Sequence, residues 1–530
     1  MSDAVPDPMQ DYGLTVDRFL DHGAKWHGQA GIITAGDGGR TTIGYAALRD
    51  RANRLSGALL SLGLTPGDRV ATLAWNTQHH VETWYATMGV GLVCHTLNPR
   101  LTVAHLAAMV IEAGDRVLVV GAGLGDLARA LVAACPCLER LILLDGETSL
   151  IGTVTVPVDD LETLLSTAGA PAPWGQCDER AVAGLCFTSG TTGPPKGVAY
   201  THRSNYLHTL RSLQADAMAL TAADTVLVAV PMFHANAWGL PFAAPAVGAS
   251  LVLPGRAMDG QSLADLINTH GVTVAVGVPT VWLGLLDHLD AVGGETPGLE
   301  RIIIGGSSCP DTLLKRMESR LGVTVQTSWG MTELSPLGTI SALNTDPAEA
   351  RGSGRPPMGL DLLLTDAGGT ALPDQRNTLG HLKVRGASVI QSYFGASADA
   401  LDDDGWFDTG DLAIIDDFGN LSLAGRSKDL IKSGGEWINP VEIEEIVGAL
   451  PSIGLVAVIG QSDAKWGERP LMVIESVQGE TIDDRDLKAS LKGRVADWWI
   501  PDRIVRVEAM PLAATGKINK TQLRATYGGA

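Results

Sequence analysis

The chain has 530 residues, of which 45% are hydrophobic and 18% are charged, so it can bury several hydrophobic cores and is too apolar to be disordered. Its 59 acidic and 39 basic residues give a net charge of −20, which opposes general binding to nucleic acids and to anionic membranes. A polyanionic ligand must therefore meet local positive charge.

The cysteines and the N-terminal residues predict a cytoplasmic protein. The 6 cysteines have neither the paired spacing nor the density of a disulfide scaffold. The first residues are acidic and contain proline, whereas an export signal is basic and then apolar. The most apolar long segment, residues 238–254, contains Pro241 and Pro245, so we expect no membrane span. Homodimer formation is left open.

Helical and strand patterns alternate from residue 45 onwards. Residues 45–60 have apolar positions at helical spacing, and the turn at Thr65–Asp68 precedes a strand at 68–75. Further buried strands are predicted at 89–97, 115–120, 138–144, 225–230 and 301–304. This alternation predicts an α/β fold of layered subdomains with parallel sheets.

Charged residues become more frequent after Gly425. In this C-terminal part, the pattern predicts a helix at 441–450 and a strand at 454–459. We place a boundary at Arg426–Lys428. The prediction is a large N-terminal domain, residues 1–426, followed by a small α+β domain, residues 427–530.

The most informative segment is residues 187–198, which read FTSGTTGPPKGV. Hydroxyls and glycines at this density form a loop whose backbone N–H groups can face phosphate oxygens, and Lys196 adds a positive charge. It is not a Walker loop, because GxxxxGK[ST] does not occur in it. Composition alone would favour an ordinary solvated loop, so the order of its residues matters.

Further motifs follow in a fixed order. They are GGSS at 305–308 after a predicted strand, SWGMTE at 328–333, WFDTGD at 406–411, GRSKDLIKSGGE at 425–436 and PLAATGK at 511–517. Each alone has a plain alternative, such as a surface turn or a solubilising lysine. Together with residues 187–198, the series resembles the adenylate-forming superfamily: acyl-CoA synthetases, firefly-type luciferases and peptide-synthetase adenylation domains. The resemblance covers nearly the whole chain.

The resemblance implies an AMP-forming acid:CoA ligase that uses ATP, Mg²⁺ and CoA. In the first step Lys517 would bridge the acid and the α-phosphate, Thr332 would touch that phosphate, and Glu333 would help to hold Mg²⁺. Trp329, where the family has tyrosine, would stack on adenine, and Asp411 would accept hydrogen bonds from the ribose hydroxyls. The implied ATP and AMP site comprises Thr188, Ser189, Gly190, Thr191, Thr192, Gly193, Lys196, Gly305, Gly306, Ser307, Ser328, Trp329, Gly330, Asp411 and Arg426.

For the second step, the resemblance implies a C-terminal domain that rotates about a hinge at Lys428. The rotation would exchange Lys517 for a loop that serves thioester formation. That loop comprises Lys432, Ser433, Gly434, Gly435 and Glu436.

The segment PMFHANAW at 231–238 resembles the acyl-pocket segment of fatty-acyl-CoA synthetases, whose tryptophan gates the acyl tunnel. The implied pocket residues are His234, Trp238 and Val278. The chain has 12 Trp against 7 Tyr and 7 Phe, and Trp282 and Trp329 could add bulk there, although Trp282 could equally be a core residue. A crowded pocket suits short or medium acids, and indole faces suit a thioether, which points to the methylmercaptopropionate-CoA ligase branch. A long-chain enzyme is the alternative.

Two alternatives come from other classes of protein. Residues 115–126 imitate a dinucleotide-binding turn, but Asp126 occupies the place of the third glycine, where an anion would face the pyrophosphate. An inactive binding protein would have lost charged motif residues, yet Lys196, Glu333, Asp411, Arg426 and Lys517 are all present. A peptide-synthetase module is disfavoured, because no carrier motif follows Lys517.

Overall fold

The computed structural model describes residues 9–36, 39–145, 152–167, 171–188, 195–307, 309–343, 352–434, 436–477, 480, 482–513 and 517–529. Within these residues the protein has a large N-terminal domain and a smaller C-terminal domain, each with α and β elements, which confirms the predicted fold class. Among the described residues no helix is both long and apolar enough to cross a membrane.

The strands of the N-terminal domain supply three sheets. In chain order they are β1 (Gly31–Gly36), β2 (Gly39–Gly44), β3 (Arg69–Leu73), β4 (Val93–Thr96), β5 (Val117–Val120), β6 (Arg140–Leu143), β7 (Val158–Asp160), β8 (Val182–Phe187), β9 (Gly197–Thr201), β10 (Thr225–Val228), β11 (Ser250–Leu253), β12 (Val274–Gly277), β13 (Arg301–Ile304), β14 (Thr324–Gly330), β15 (Leu337–Ile340), β16 (Leu360–Thr365), β17 (Gly380–Gly386), β18 (Phe407–Ile415) and β19 (Leu421–Arg426).

The helices of this domain cover the two larger sheets. They are α1 (Asp17–Trp26), α2 (Tyr45–Ser61), α3 (Gln78–Met88), α4 (Val103–Ala113), α5 (Gly125–Ala134), α6 (Leu161–Thr167), α7 (His202–Ser212), α8 (Leu240–Val247), α9 (Gly260–His270), α10 (Pro279–Val292) and α11 (Asp311–Leu321).

The two larger sheets are mostly parallel, as the alternation of elements predicts. A seven-stranded sheet has the order β7-β6-β5-β3-β4-β8-β9, and an eight-stranded sheet has the order β15-β14-β13-β12-β10-β11-β1-β2. The third sheet is antiparallel, with the order β16-β17-β18-β19. Parallel strands buried on both faces read as continuous apolar runs, such as Val117–Val120.

The C-terminal domain has its own sheet and its own core. Its elements are β20 (Ile431–Ser433), β21 (Glu436–Ile438), α12 (Pro440–Gly448), β22 (Ile453–Asp463), β23 (Gly467–Ser476), α13 (Asp484–Leu491), β24 (Arg503–Arg506) and α14 (Lys520–Tyr527). The long hairpin of β22 and β23 forms its centre. Ile443, Val458 and Met472 are among the buried residues that pack around this hairpin.

Candidate active site

A cleft of about 2850 Å³ extends between the two domains, and most of the predicted nucleotide and acid residues line it. Many of these residues lie at or just after the carboxyl ends of the parallel strands β13 and β14, where open α/β sheets place ligands, whereas Asp411 lies within β18. The predicted residues that line the cleft are Thr188, Lys196, His234, Trp238, Gly306, Ser307, Ser328, Trp329, Gly330, Thr332, Glu333, Asp411, Arg426, Lys428 and Lys517.

Lys517 enters this cleft from the C-terminal domain. Its Cε lies 3.8 Å from the position that a β-carbon on Gly306 would take. Burial lowers the pKa of Lys517, and Arg426 lowers it further, while Asp411 and Glu333 oppose the shift. The ammonium group of Lys517, which has two carboxylates and one guanidinium as charged neighbours, is suited to bind an additional anion.

Asp411 is a buried carboxylate on β18 that already has two protein partners. Arg426 approaches its Oδ1 atom at 2.7 Å through Nε, and Trp329 donates from Nε1 to Oδ2 at 3.0 Å. Burial raises the pKa of Asp411, against the opposing charge of Arg426. A carboxylate has about four acceptor positions, so its oxygens can still accept hydrogen bonds from a diol.

Trp329 therefore contacts the carboxylate that the sequence assigns to ribose. The indole also packs on Gly338, where a β-carbon would lie 2.4 Å from the ring atom Cε3. Trp329 is 6% exposed, so its ring is held in place before any ligand binds.

Glu333 has a neighbour that the sequence did not reveal. Tyr393 donates its hydroxyl to Glu333 Oε1 at 2.9 Å, and Lys196 Nζ lies 4.6 Å from the centre of the Tyr393 ring. Tyr200 fixes the adjacent residue by donating to the carbonyl of Thr332 at 3.0 Å. Tyr393 therefore joins the acidic residue and the lysine of two motifs that lie far apart in the chain.

The predicted phosphate loop is described only at its two ends. Thr188 donates its N–H to the carbonyl of Lys196 at 2.9 Å, and Lys196 donates its N–H to Thr188 Oγ1 at 3.2 Å. These bonds close the loop at its base, between antiparallel β8 and β9. The predicted residues Ser189, Gly190, Thr191, Thr192 and Gly193 lie outside the described residues.

Gly305 and Gly306 allow close approach of side chains after β13. A β-carbon on Gly305 would lie 2.4 Å from Ser328 Oγ and 3.1 Å from Trp238 Cη2. A β-carbon on Gly306, whose φ is +82°, would lie 3.3 Å from Val278 Cγ1 and 3.7 Å from Trp238 Cζ2. The indole of Trp238 thus lies across this glycine pair, beside the place that Lys517 occupies.

His234 also faces this region. Burial, with Lys517 nearby, lowers the pKa of His234 to about 4. The imidazole is therefore neutral at pH 7 and can adjoin an apolar acyl chain without an ionic charge.

The backbone that carries Trp238 is left-handed. Ala235, Asn236, Ala237 and Trp238 have φ values of 44°, 52°, 46° and 54°. Left-handed helical conformation costs about 1–2 kcal/mol for each L-residue other than glycine. Such a run persists only where its surroundings hold it, and strain of this kind clusters at functional sites.

The residues assigned to thioester formation lie elsewhere. Lys432 and Ser433 belong to β20, Glu436 begins β21, and Gly434 lies between these strands. None of these four lines the cleft, whereas Gly435 lies outside the described residues. Lys432 is exposed, with Nζ 5.4 Å from the Trp437 ring centre.

Trp282 is a core residue and does not line the cleft. It is a fully buried residue of α10 that packs in the same core cluster as residues of α9 and the sheet, and its ring lies against Gly277. In the segment that resembles a dinucleotide-binding turn, residues 115–126, Asp126 lies in the first turn of α5. Its Oδ1 atom is 2.6 Å from Nη2 of Arg129, with which it forms an ion pair.

Comparison with known proteins identifies the family. The family model described as AMP-binding enzyme matches residues 20–394, and that of the AMP-binding enzyme C-terminal domain matches residues 442–517. The chain belongs to the AMP-binding enzyme family.

Its relatives include ligases of acids with CoA. A 3-methylmercaptopropionyl-CoA ligase of Ruegeria pomeroyi is 42% identical and covers 97% of each chain. A medium-chain fatty-acid CoA ligase of Ectopseudomonas oleovorans is 39% identical over 97% of this chain and 96% of its own. The structure of o-succinylbenzoate CoA synthetase from Bacillus subtilis with ATP and magnesium has a TM-score of 0.80 and 25% identity, over 96% of this chain and 99% of that chain.

Proposed function

We propose that this protein is an AMP-forming ligase that joins a short or medium carboxylic acid to CoA, with 3-methylmercaptopropionate as the candidate acid. The observation that carries this proposal is the position of the Trp238 indole across Gly305 and Gly306, next to Lys517. The kinship with acyl-CoA ligases supports the reaction class.

In the first step the acid carboxylate attacks the α-phosphorus of ATP and releases pyrophosphate. Two anions must meet in line, so the protein has to position them and offset their charge. Lys517 holds the carboxylate beside the α-phosphate, Thr332 donates to that phosphate, and Lys196 binds the departing phosphates. Arg426 and Asp411 bind the ribose, while Trp329 flanks the adenine.

The residues at the cleft fit a magnesium ion that is held mostly by nucleotide phosphates. Glu333 offers one carboxylate oriented by Tyr393, and no group of three metal-binding side chains occurs in the described part of the chain. Mg²⁺ usually binds one or two carboxylates plus phosphate oxygens and water. When bound, the ion would offset phosphate charge during the transfer of AMP.

In the second step the CoA thiolate attacks the acyl carbon and AMP leaves. We propose that residues 427–530 rotate about Lys428, which withdraws Lys517 and brings Lys432, Ser433, Gly434, Gly435 and Glu436 to the cleft. The arrangement supports this division, because Lys517 lines the cleft while the described residues of the other group lie outside it. We therefore propose that this arrangement of the two domains is the one that serves the adenylation step.

The size of the acid follows from the position of Trp238. In an open tunnel each added CH₂ contributes about 0.8 kcal/mol of burial, so kcat/KM would rise about fourfold per carbon. An indole that closes the pocket makes kcat/KM pass through a maximum and then fall. We expect the maximum at short to medium length.

The test is pyrophosphate release with linear acids from butanoate to palmitate and with 3-methylmercaptopropionate, each with and without CoA. Trp238→Ala should shift the maximum to longer acids. Activity that rises steadily to palmitate in the unmodified protein would support a long-chain enzyme instead. A kcat/KM for 3-methylmercaptopropionate far below that of butanoate would exclude the thioether acid.

We also propose a cytoplasmic location, since Cys94, Cys135, Cys137, Cys177, Cys186 and Cys309 are all free thiols. Homodimer formation stays a prediction, which sedimentation equilibrium would measure.

A further inference from the structure

The left-handed turn of Ala235–Trp238 has an internal support of polar side chains on helix α7. Asn236 is the only residue of the four whose side chain type tolerates this conformation well. Its Nδ2 donates to Oδ1 of Asn205 at 3.2 Å, and the two side chains are 2% and 1% exposed. A buried amide pair therefore ties the strained turn to α7.

Asn205 is an unusual choice for packing alone. Its Nδ2 group is buried and has no hydrogen-bond partner among the described residues. A buried donor without a partner costs free energy that an apolar side chain of similar size would not cost. Among the residues that the structure describes, the side chain of Asn205 makes one hydrogen bond, and that bond holds Asn236.

The same face of α7 supports the far end of the turn. His208, three residues after Asn205, lies under Gly239, where a β-carbon would be 2.9 Å from the ring atom Cε1. The ring is fixed because its Nε2 accepts from the Leu337 N–H at 3.1 Å. Residues three apart share one side of a helix, so α7 presents a continuous support beneath the segment that carries Trp238.

We propose that Asn205 is a positioning residue for acid selection: through Asn236 it holds the left-handed turn that keeps the Trp238 indole across Gly305 and Gly306. This inference rests on the proposed function of Trp238 as the residue that closes the acyl pocket. Asn205 does not touch the acid. Its loss lets the turn relax toward right-handed or extended backbone, and the indole then leaves its place.

The experiment compares kcat/KM for decanoate and butanoate in pyrophosphate release. Asn205→Leu, which keeps the branched shape of the side chain and removes the amide, should raise the decanoate to butanoate ratio roughly tenfold, as expected for one buried hydrogen bond. The effect should lie in KM for the acid, with KM for ATP unchanged. Asn236→Ala removes the same bond from the other side and should give the same shift, which provides a second reading if Asn205→Leu does not fold.

Two further comparisons distinguish a specific effect on the position of the Trp238 indole from a general loss of packing around α7. Ser212→Ala removes a different buried polar group of α7, a hydroxyl whose one hydrogen bond in the described part of the chain goes to the Thr209 carbonyl of its own helix, and it should leave the ratio unchanged. In a Trp238→Ala background, Asn205→Leu should add nothing, because the residue through which it acts is gone. An unchanged ratio in folded Asn205→Leu and Asn236→Ala, or an equal shift in the Trp238→Ala background, overturns the proposal. If Trp238→Ala alone shifts nothing, the proposed pocket closure itself fails.

Discussion

Lys517 is a buried lysine whose charged neighbours are one basic and two acidic side chains. Burial and Arg426 both disfavour its charged form, while Asp411 and Glu333 favour it. The carboxylate of the acid and the α-phosphate of ATP would add negative charge beside the ammonium group and so stabilise its charged form. The contact is thus worth most at the moment when both anions are present, which is the condition for lowering a barrier.

Lys517→Ala should therefore abolish adenylation and spare the second step. Losing one charge contact aimed at the transition state lowers the rate about 10²–10³-fold. Pyrophosphate release measures the first step, and acyl-CoA formation from synthetic acyl-adenylate measures the second. Lys520→Ala is the matched control, since Lys520 pairs with Glu444 at 2.6 Å and should be dispensable for chemistry. Equal loss in both steps would contradict the assignment of Lys517.

The sequence predicted most of the cleft residues because their chemistry is concentrated in short motifs. It could not predict Tyr393, whose hydroxyl meets Glu333 across 60 residues of chain, since a lone tyrosine in a loop carries no pattern. The hydrogen bond between Asn205 and Asn236 could not be predicted either, because it joins a helix to a turn 31 residues away. Trp329 was predicted at the nucleotide, yet its hydrogen bond to Asp411 depends on how β14 and β18 approach each other.

At the scale of elements, helix α3 is fixed on strand β3 by a neutral histidine. His80 is fully buried; its Nδ1 donates to the Trp75 carbonyl at 3.0 Å, and its Nε2 accepts from Thr72 at 2.8 Å. A carbonyl can only accept, so the proton lies on Nδ1, and both ring nitrogens are satisfied without charge. Burial lowers the pKa of His80 to about 4.

This histidine makes stability depend on pH. Between pH 6.5 and about 4, His80 is protonated in the unfolded state but stays neutral in the folded state. The free energy of unfolding therefore falls as the pH falls. The slope is about 1.4 kcal/mol per pH unit. His80→Asn should be less stable at pH 7 yet flatter in this window, so the two curves converge toward pH 4. Urea midpoints measure this, and exposed His105→Asn is the control. Parallel curves for wild type and His80→Asn would contradict the account.

The bounds of helices and strands can be predicted from the local pattern of apolar residues, whereas the pairing of strands in the sheets cannot. The strand predicted at 301–304 is β13 at Arg301–Ile304, and the helix predicted at 45–60 is α2 at Tyr45–Ser61. The strand predicted at 89–97 is shorter, Val93–Thr96, because Gly89–Leu92 is an apolar turn that periodicity cannot distinguish from a strand. The pairing of β1 with β11, which aligns Ile32 with Leu251, depends on contacts across the whole domain.

At the scale of the whole molecule, the contact between the domains has acidic groups on both sides. Thr312 on α11 donates to the Gly448 carbonyl at the end of α12 at 3.3 Å. Burial raises the pKa of Glu445 on α12, and Asp311 across the contact raises it further, with Glu442 and Glu444. Like charges that face each other weaken a contact, so the C-terminal domain can leave this position at low cost.

The hinge can be tested by separating the two half-reactions. Lys428 is exposed in a short 3₁₀ turn, Ser427–Asp429, between β19 and β20. Lys428→Pro fixes φ near −65° and removes an N–H, and it also restricts the preceding residue, so rotation about this point should be blocked. We expect pyrophosphate release to persist, while acyl transfer from synthetic acyl-adenylate to CoA is lost. Lys428→Ala removes the charge and leaves the backbone free, and should retain both steps. Normal acyl transfer in Lys428→Pro would place the pivot elsewhere, whereas loss in both variants would assign a role to the ammonium group rather than to the backbone.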